Sequence, residues 1–210
     1  MKTLIYFADP MCSWCWGFTP VLEKIKEKYQ DQQNKIKIAL ILGGLQPGEK
    51  NPLLPQQREE ILHHWQEIEK LTGQPFKTSN ALPDGFIYDT EPAARAVVTV
   101  ANMAGEKLFS FFKKLQFSFY AEGMDITKPE IIQKLVIAEG IESFRFMEKF
   151  HSEEIKLKTK ANFHNARKYS ILTLPSTVMK DESDVRLLCG GYCTYPEAEI
   201  KLDKWLASGE

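Results

Sequence analysis

The chain has 210 residues, of which 43% are apolar and 26% are charged, and its 27 lysines and arginines against 28 acidic residues leave a formal charge of −1. This composition is typical of a globular protein with enough chain for one domain, or for a domain with a large insertion, around a substantial core. It excludes a small scaffold that depends on disulfides. A charge near zero, without a dense basic run, also gives no indication of nucleic acid or of an anionic membrane surface as a partner.

The start of the chain gives no sign of a targeting segment. The apolar stretch at residues 4–7 ends before Asp9 and Pro10, so it is too short for the hydrophobic region of a secretory signal. No window of about 18 consecutive apolar residues is available for a transmembrane helix. We therefore expect a cytoplasmic protein without a membrane partner.

Hydrophobic periodicity predicts an α/β protein in which a long helical segment interrupts the strands. The predicted elements, in chain order, are a strand at residues 3–8, a helix from residue 12 or 13 with its last apolar position at Tyr29, a strand at 35–42, amphipathic helices within 46–169, a hairpin at 176–179 and 185–189, and a helix at 196–206. The order is therefore β-α-β, then a helical segment, then β-β-α. Within the helical segment, Thr127 to Glu130 have the pattern of a capping box with a proline in the first turn.

Four cysteines form two close pairs, Cys12 with Cys15 and Cys189 with Cys193. The first pair stands between the first predicted strand and the start of a helix, where unpaired backbone N–H groups and the helix dipole favour a thiolate. Cys15 is about one helical turn after Cys12 on the same face, close enough to attack a mixed disulfide. Cys12 is therefore the candidate nucleophile and Cys15 the candidate resolving thiol of a dithiol oxidoreductase.

Three other interpretations of the first pair stay open. The two cysteines could be buried structural thiols, could occur at this spacing by chance, or could form half of a zinc site that Cys189 and Cys193 complete. The zinc site would make the protein a binding module without enzymatic activity. The strand and helix around the pair favour redox chemistry, and we predict no metal site. Four histidines also lack the spacing of metal ligands, and we expect surface or core roles for them: His63, His64, His151 and His164.

Several segments resemble a known family. Residues 9–18 (DPMCSWCWGF), 88–93 (YDTEPA) and 119–127 (FYAEGMDIT), together with the proline before the predicted hairpin, are similar to the cytoplasmic FrnE-like branch of predicted protein disulfide isomerases in the DsbA-like thioredoxin-fold family. The resemblance covers nearly the whole chain. It implies a thioredoxin-like domain at 1–45 and 170–210, a helical insertion domain at 46–169, and thiol–disulfide oxidoreductase or isomerase activity.

The resemblance also implies which residues form the site. In such folds the proline before the hairpin is cis and lies against the dithiol, which assigns this position to Pro175 and leaves the backbone of Leu174 free to pair with an extended peptide. Trp14, between the cysteines, is expected to contact the substrate as well. The implied partners are thiols and disulfides of proteins or peptides. No cofactor besides the dithiol is implied, and glutathione is a candidate reductant.

A second enzymatic interpretation comes from the same architecture. Kappa-class glutathione transferases and 2-hydroxychromene-2-carboxylate isomerases share it, and both use glutathione. They typically have serine at the position of Cys12. The presence of both Cys12 and Cys15 therefore favours disulfide chemistry.

The sequence departs from the pattern of thioredoxin and DsbA near the dithiol. Those proteins have a buried carboxylate six residues before the nucleophile, and here that residue is Tyr6. Asp9 is closer to the cysteines, and we expect it to be an exposed turn residue rather than a base. Without a histidine beside it in the motif, Cys12 is expected to be a weaker oxidant than the nucleophile of a strongly oxidising DsbA.

The second pair is a candidate second dithiol. If residues 176–179 and 185–189 form a hairpin, Cys189 and Cys193 return to the level of Pro175, at the active-site end. Gly190 and Gly191 would let the loop bring the two thiols together. A disulfide that exchanges with the first pair and two idle thiols are both consistent with this, and the idle thiols are favoured for a cytoplasmic protein.

Overall fold

A four-stranded mixed sheet forms the centre of the computed structural model, which describes residues 2–29, 36–182 and 184–207. Its strands are β1 (Thr3–Ala8), β2 (Lys37–Leu42), β3 (Ser176–Lys180) and β4 (Val185–Gly190), in the spatial order β2-β1-β3-β4. β1 and β2 are parallel, whereas β3 runs antiparallel to both β1 and β4. The first and last parts of the chain therefore meet in one sheet, with the predicted hairpin formed by β3 and β4.

Helices account for most of the remaining described residues. They are α1 (Ser13–Tyr29), α2 (Pro55–Thr72), α3 (Glu91–Met103), α4 (Leu108–Tyr120), α5 (Pro129–Ala138), α6 (Ser143–His151), α7 (Glu153–Lys168) and α8 (Tyr195–Ala207), with a short 3-10 turn at Gly105–Lys107. Helices α2 to α7 lie between β2 and β3, so the predicted helical insertion is confirmed. The two domain boundaries stay a prediction. In the described ranges, no helix has the length and apolar character needed to cross a membrane.

β1 is buried on both faces. Tyr6 belongs to the main core together with α1, while Ile5 and Phe7 pack against Ala166 near the end of α7 on the opposite face. An apolar strand without polar alternation is expected where both faces are covered. This burial holds the carboxyl end of β1, and with it the start of the cysteine motif.

The loop after β2 is attached to the start of α3. The Asp89 carboxylate accepts a hydrogen bond from the Gly48 N–H (2.7 Å), and the Thr90 hydroxyl accepts one from the Gln46 N–H (3.1 Å). The Thr90 N–H donates in return to the Gln46 carbonyl (3.2 Å). The polar part of the YDTEPA segment therefore joins the helical segment to the end of the sheet where β1 meets α1.

The predicted capping box is wrong. α5 begins at Pro129 with Lys128 as its N-cap, and Thr127 lies outside the helix. Both the N–H and the hydroxyl of Thr127 donate to Oδ1 of Asp125. The Asp125 carboxylate, a stronger acceptor than a hydroxyl, therefore engages Thr127 in a turn. Of the predicted strand at 35–42, residue 35 lies outside the described residues, and the observed strand begins at Lys37.

Candidate active site

Cys12 lies at the N-terminal end of α1, directly after β1. Its N–H donates to the Asp9 carbonyl (3.1 Å), and its own carbonyl accepts the N–H of Trp16 (3.1 Å), as expected for the residue that caps a helix. The Cys15 N–H points at the Cys12 sulfur, 3.3 Å away. The Cys12 Sγ therefore receives a backbone donor from the first turn of the helix, an arrangement that favours negative charge on sulfur.

Cys12 and Cys15 differ in access. Cys12 is 4% exposed and lines a cavity, whereas Cys15 is completely buried beneath it. Burial raises the pKa of the Cys15 thiol well above its ordinary value, and a hydrogen bond with Cys12 raises it further. Both cysteines are free. The accessible sulfur can therefore react first while Cys15 keeps its proton.

The loop before β3 lies against the dithiol. The peptide bond between Leu174 and Pro175 is cis. The Cys12 thiol is 3.6 Å from the Leu174 carbonyl oxygen, to which it donates. The Pro175 carbonyl accepts the N–H of Gly191 (2.9 Å), which connects this loop to the end of β4. The structure thus brings Leu174 and Pro175, both predicted as site residues, to the cysteine pair.

A cavity of about 570 Å³ opens beside Cys12. Parts of the start of α1, the loop after β2, α2 and the loop before β3 form its walls, and the residues that matter here are Cys12, Trp14, Leu45, Glu60, His64 and Leu174. Its volume is in the range of sites that hold small molecules or a few side chains. Trp14 and Leu174, predicted as substrate-binding residues, both line it.

Trp14 is held from two sides. Its indole N–H donates to Nε2 of His64 on α2 (2.8 Å), and its ring lies 5.6 Å from that of Tyr192, measured between centroids. Sequence analysis assigned His64 a surface or core role and did not predict this contact with Trp14. No local pattern identifies His64, since only the docking of α2 beside the cysteine motif brings the imidazole to the indole.

The Asp9 side chain is buried, contrary to the prediction from the sequence. Asp9 was expected to be an exposed turn residue, but it is completely buried. Its carboxylate accepts hydrogen bonds from the N–H groups of Met11 and Leu45, each at 2.9 Å, because the loop after β2 folds over it. Burial raises the pKa of Asp9 from 3.8 to about 6, although both backbone donors act to lower it.

Two buried tyrosines hold the backbone around the pair. The Tyr6 hydroxyl donates to the Cys15 carbonyl (3.4 Å), and the Tyr88 hydroxyl donates to the Met11 carbonyl (2.7 Å). Tyr6 lies six residues before Cys12, at the position where thioredoxin and DsbA have a buried carboxylate. Tyr88 belongs to the YDTEPA segment, which marked the family but gave no indication that its first residue reaches the cysteine motif.

The second cysteine pair forms a disulfide. Cys189 and Cys193 are bonded, with their Cα atoms 6.2 Å apart. The favoured interpretation as idle thiols is therefore wrong, since the Gly190-Gly191 turn brings the two sulfurs together. The zinc alternative required both as free thiolates. Within residues 2–29, 36–182 and 184–207, no group of three His, Cys, Asp or Glu side chains is placed to hold a metal ion.

Comparison with known proteins identifies the family. Residues 3–191 match the DSBA-like thioredoxin domain. A crystal structure of a candidate protein disulfide isomerase from Nitrosomonas europaea is 41% identical, covers 100% of this chain and 99% of its own, and superimposes with a TM-score of 0.92. The cytosolic disulfide reductase DsbM from Pseudomonas aeruginosa, solved also with glutathione, shares the fold at 21% identity and a TM-score of 0.79, with 99% and 100% coverage.

A curated relative is more distant. The ClpXP adapter protein SpxH from Halalkalibacterium halodurans is 23% identical over 184 residues, or 84% of this chain. The matched part spans only 58% of that relative's length. The predicted thioredoxin fold with a helical insertion is confirmed, and the family supports the predicted enzyme class, thiol–disulfide oxidoreductase. The chain belongs to the DSBA-like thioredoxin domain family.

Proposed function

We propose that the protein exchanges disulfides with polypeptide substrates through Cys12 and Cys15. Cys12 acts as the nucleophile and Cys15 as the resolving thiol. The observation that supports these roles most directly is the difference between the two sulfurs. The Cys12 sulfur lines a cavity and accepts the Cys15 N–H at 3.3 Å, whereas the Cys15 sulfur is buried, with a raised thiol pKa.

The proposed reaction proceeds in two exchanges. The Cys12 thiolate attacks one sulfur of a substrate disulfide, forms a mixed disulfide, and releases the other substrate sulfur as a thiolate that takes up a proton from solvent. Cys15 then loses its proton, attacks the Cys12 sulfur and releases the second substrate thiol. Two electrons pass from the dithiol to the substrate, and a Cys12–Cys15 disulfide remains. The reverse sequence oxidises a substrate dithiol.

The remaining site residues have proposed binding roles. Leu174 offers its carbonyl and side chain beside the Cys12 sulfur, so it is placed to contact the chain on either side of a substrate cysteine. Pro175 forms the turn that brings Leu174 there, and Trp14 forms part of the cavity wall. The dithiol is the proposed redox group, without a further cofactor, and a thiol such as glutathione is a proposed reductant for the oxidised form. A cytoplasmic location stays a prediction, with which the cytosolic DsbM reductase is consistent.

Single-turnover kinetics with the reduced protein and a peptide disulfide test this proposal. Cys12→Ser should reduce exchange to the uncatalysed rate, because the attacking thiolate is absent. Cys15→Ser should react once and accumulate a mixed disulfide with Cys12, visible by mass spectrometry, because the group that releases the substrate is missing.

Two results would contradict the proposal. If the Cys12→Ser variant accumulated the mixed disulfide instead, the two roles would be reversed. If catalysed addition of glutathione to an electrophile survived in Cys12→Ser while disulfide exchange was absent from the parent protein, the glutathione-dependent alternative would replace it.

A further inference from the structure

In the described part of the chain, the ionisable groups in the walls of the cavity beside Cys12 include a carboxylate but no lysine or arginine. These groups belong to Cys12, Glu60, His64 and Tyr88. Most of the remaining surface comes from apolar side chains of α1, α2 and the two adjoining loops. An approaching substrate therefore meets a predominantly apolar surface without a cationic side chain.

Two of the four groups are already engaged by other protein atoms. The Tyr88 hydroxyl is buried and donates to the Met11 carbonyl, and burial raises its pKa. Nε2 of His64 accepts the Trp14 indole N–H, and Nδ1 of the same ring faces a Glu67 carboxylate oxygen at 3.5 Å, so both ring nitrogens already have protein partners. The groups that remain are the Glu60 carboxylate and, during attack, the Cys12 thiolate. Both are negative.

We propose that this cavity selects disulfides in which a lysine or arginine lies next to the reacting cysteine, and that Glu60 is the specificity-determining residue. The proposal rests on the proposed function and uses the same two exchanges, without another reactant. Lysine and arginine combine an aliphatic stem with a cationic end. That combination matches apolar walls with a carboxylate at one side.

The same charges disfavour glutathione disulfide relative to a cationic peptide disulfide, whereas the oxidised form, which has no Cys12 thiolate, repels glutathione as a reductant less. Each glutathione unit carries two carboxylates against one ammonium group, so its net negative charge meets Glu60 and the Cys12 thiolate. A cationic side chain does lie nearby, since Arg167 lines a separate groove beyond Leu45 and Leu174. It is not part of the wall around Cys12. If the protein instead preferred anionic substrates such as glutathione disulfide, Arg167 would be the side chain expected to bind them.

The expected effect is moderate because Glu60 is exposed. One of its carboxylate oxygens accepts a hydrogen bond from the Gln56 side chain at 3.2 Å, and water and salt screen its charge. Exposed charge pairs typically contribute less than about 1 kcal/mol, so a selectivity of at most about fivefold is expected for each unit of substrate charge. This selectivity should decrease as the ionic strength is raised.

The test compares three blocked peptide disulfides that differ only in the residue after cysteine, which is lysine, glutamine or glutamate, together with glutathione disulfide. First-turnover rates of the reduced protein should decrease in the order lysine, glutamine, glutamate, with glutathione disulfide among the slow substrates. The lysine-to-glutamate rate ratio should fall several-fold in Glu60→Gln and invert in Glu60→Lys. Glu59→Gln, which removes a charge from the same helix outside the cavity wall, should keep the ratio and rates of the parent protein.

Each other outcome is decisive. Equal rates for all three peptides, with exchange still dependent on Cys12, would overturn the selectivity and leave the proposed function intact. A ratio that falls as much in Glu59→Gln as in Glu60→Gln would overturn the role of Glu60. Faster exchange with glutathione disulfide that is lost in Arg167→Gln would place recognition in the other groove. The absence of Cys12-dependent exchange with any disulfide would reject the proposed function itself.

Discussion

The two cysteine pairs lie at the same end of the sheet, and each is close to the start of a helix, yet only one is a free dithiol. α1 has no acidic residue in its first turn, so the N–H of Cys15 is available to the Cys12 sulfur. α8 begins differently, because the Glu197 carboxylate accepts both the N–H and the hydroxyl of Thr194. A carboxylate therefore lies at the start of α8, where α1 has none.

This comparison shows that spacing alone does not determine what a cysteine pair does. A backbone N–H from the first turn of a helix favours a thiolate, and a carboxylate at a helix start disfavours a second negative charge there. The segments that carry the two pairs are nevertheless close to each other. Trp14, between the first two cysteines, packs on Tyr192, between the second two. Three further predictions test how far the two pairs differ, beginning with the largest expected effect.

The first pair adjoins a buried carboxyl group, and the pH dependence of stability should reveal it. The pKa of Asp9 is raised from 3.8 to about 6, so the folded protein holds this proton more tightly than the unfolded chain. Stability from this group is fully present below about pH 4 and is lost as the pH rises through 6, by about 3 kcal/mol in total. Denaturant unfolding of the parent protein and of Asp9→Asn from pH 4 to 7.5 measures it.

The quantity to compare is the difference in unfolding free energy between the parent protein and Asp9→Asn at each pH. The free energy of unfolding of the parent protein should fall relative to that of Asp9→Asn as the pH rises. Asp84→Asn removes an exposed carboxylate, paired with Arg58, and controls for the loss of a charge alone. Parallel curves for the parent protein and Asp9→Asn would show that the Asp9 carboxyl group ionises equally easily in the folded and unfolded states.

Local patterns were sufficient to predict much of the fold and part of the site. The apolar run of β1 and the position of Cys12 between a strand and a helix are short-range features, and both were correctly predicted. The helical segment was also predictable, because the apolar stripes of its helices repeat at the helical period. The resemblance added Pro175, which no local pattern distinguishes from other loop prolines.

Features that depend on how distant segments pack were missed. Asp9 looked like a turn residue because nothing near it in the chain indicates that Leu45 will cover it. The contact of His64 with Trp14 depends in the same way on where α2 docks. The Cys189–Cys193 bond depends on the path of the loop after β4, and two glycines allow that path without requiring it. In each case burial or bonding is decided by tertiary structure.

The second pair should contribute to stability rather than to the first turnover. The disulfide closes a loop with a sequence separation of 4, and loop-closure entropy for so short a loop amounts to about 2 kcal/mol. A Cys189→Ser/Cys193→Ser double variant should lose about that much unfolding free energy while its reduced form reacts with a peptide disulfide at a rate close to that of the parent protein. Slower re-reduction of the oxidised Cys12–Cys15 pair in the double variant would instead indicate that the second pair passes electrons to the first.

The contact between Trp14 and His64 should have the smallest effect and is the easiest to isolate. His64→Phe removes the acceptor of the indole N–H, so Trp14 should move more freely over Cys12 and exchange should slow by a few-fold, as expected for one exposed hydrogen bond. His64→Gln keeps a side-chain acceptor and should restore most of the rate. His63→Gln is the matched control, since His63 is also exposed on α2 and approaches the same Glu67 carboxylate, at 3.7 Å.

The fluorescence of Trp14 provides a second measurement. It is obtained as the difference in emission between each variant and the same variant with Trp14→Phe, and it should change in His64→Phe and remain unchanged in His63→Gln. If both histidine substitutions slowed exchange equally, general disturbance of α2 would explain the effect, and the contact with Trp14 would have no role in exchange.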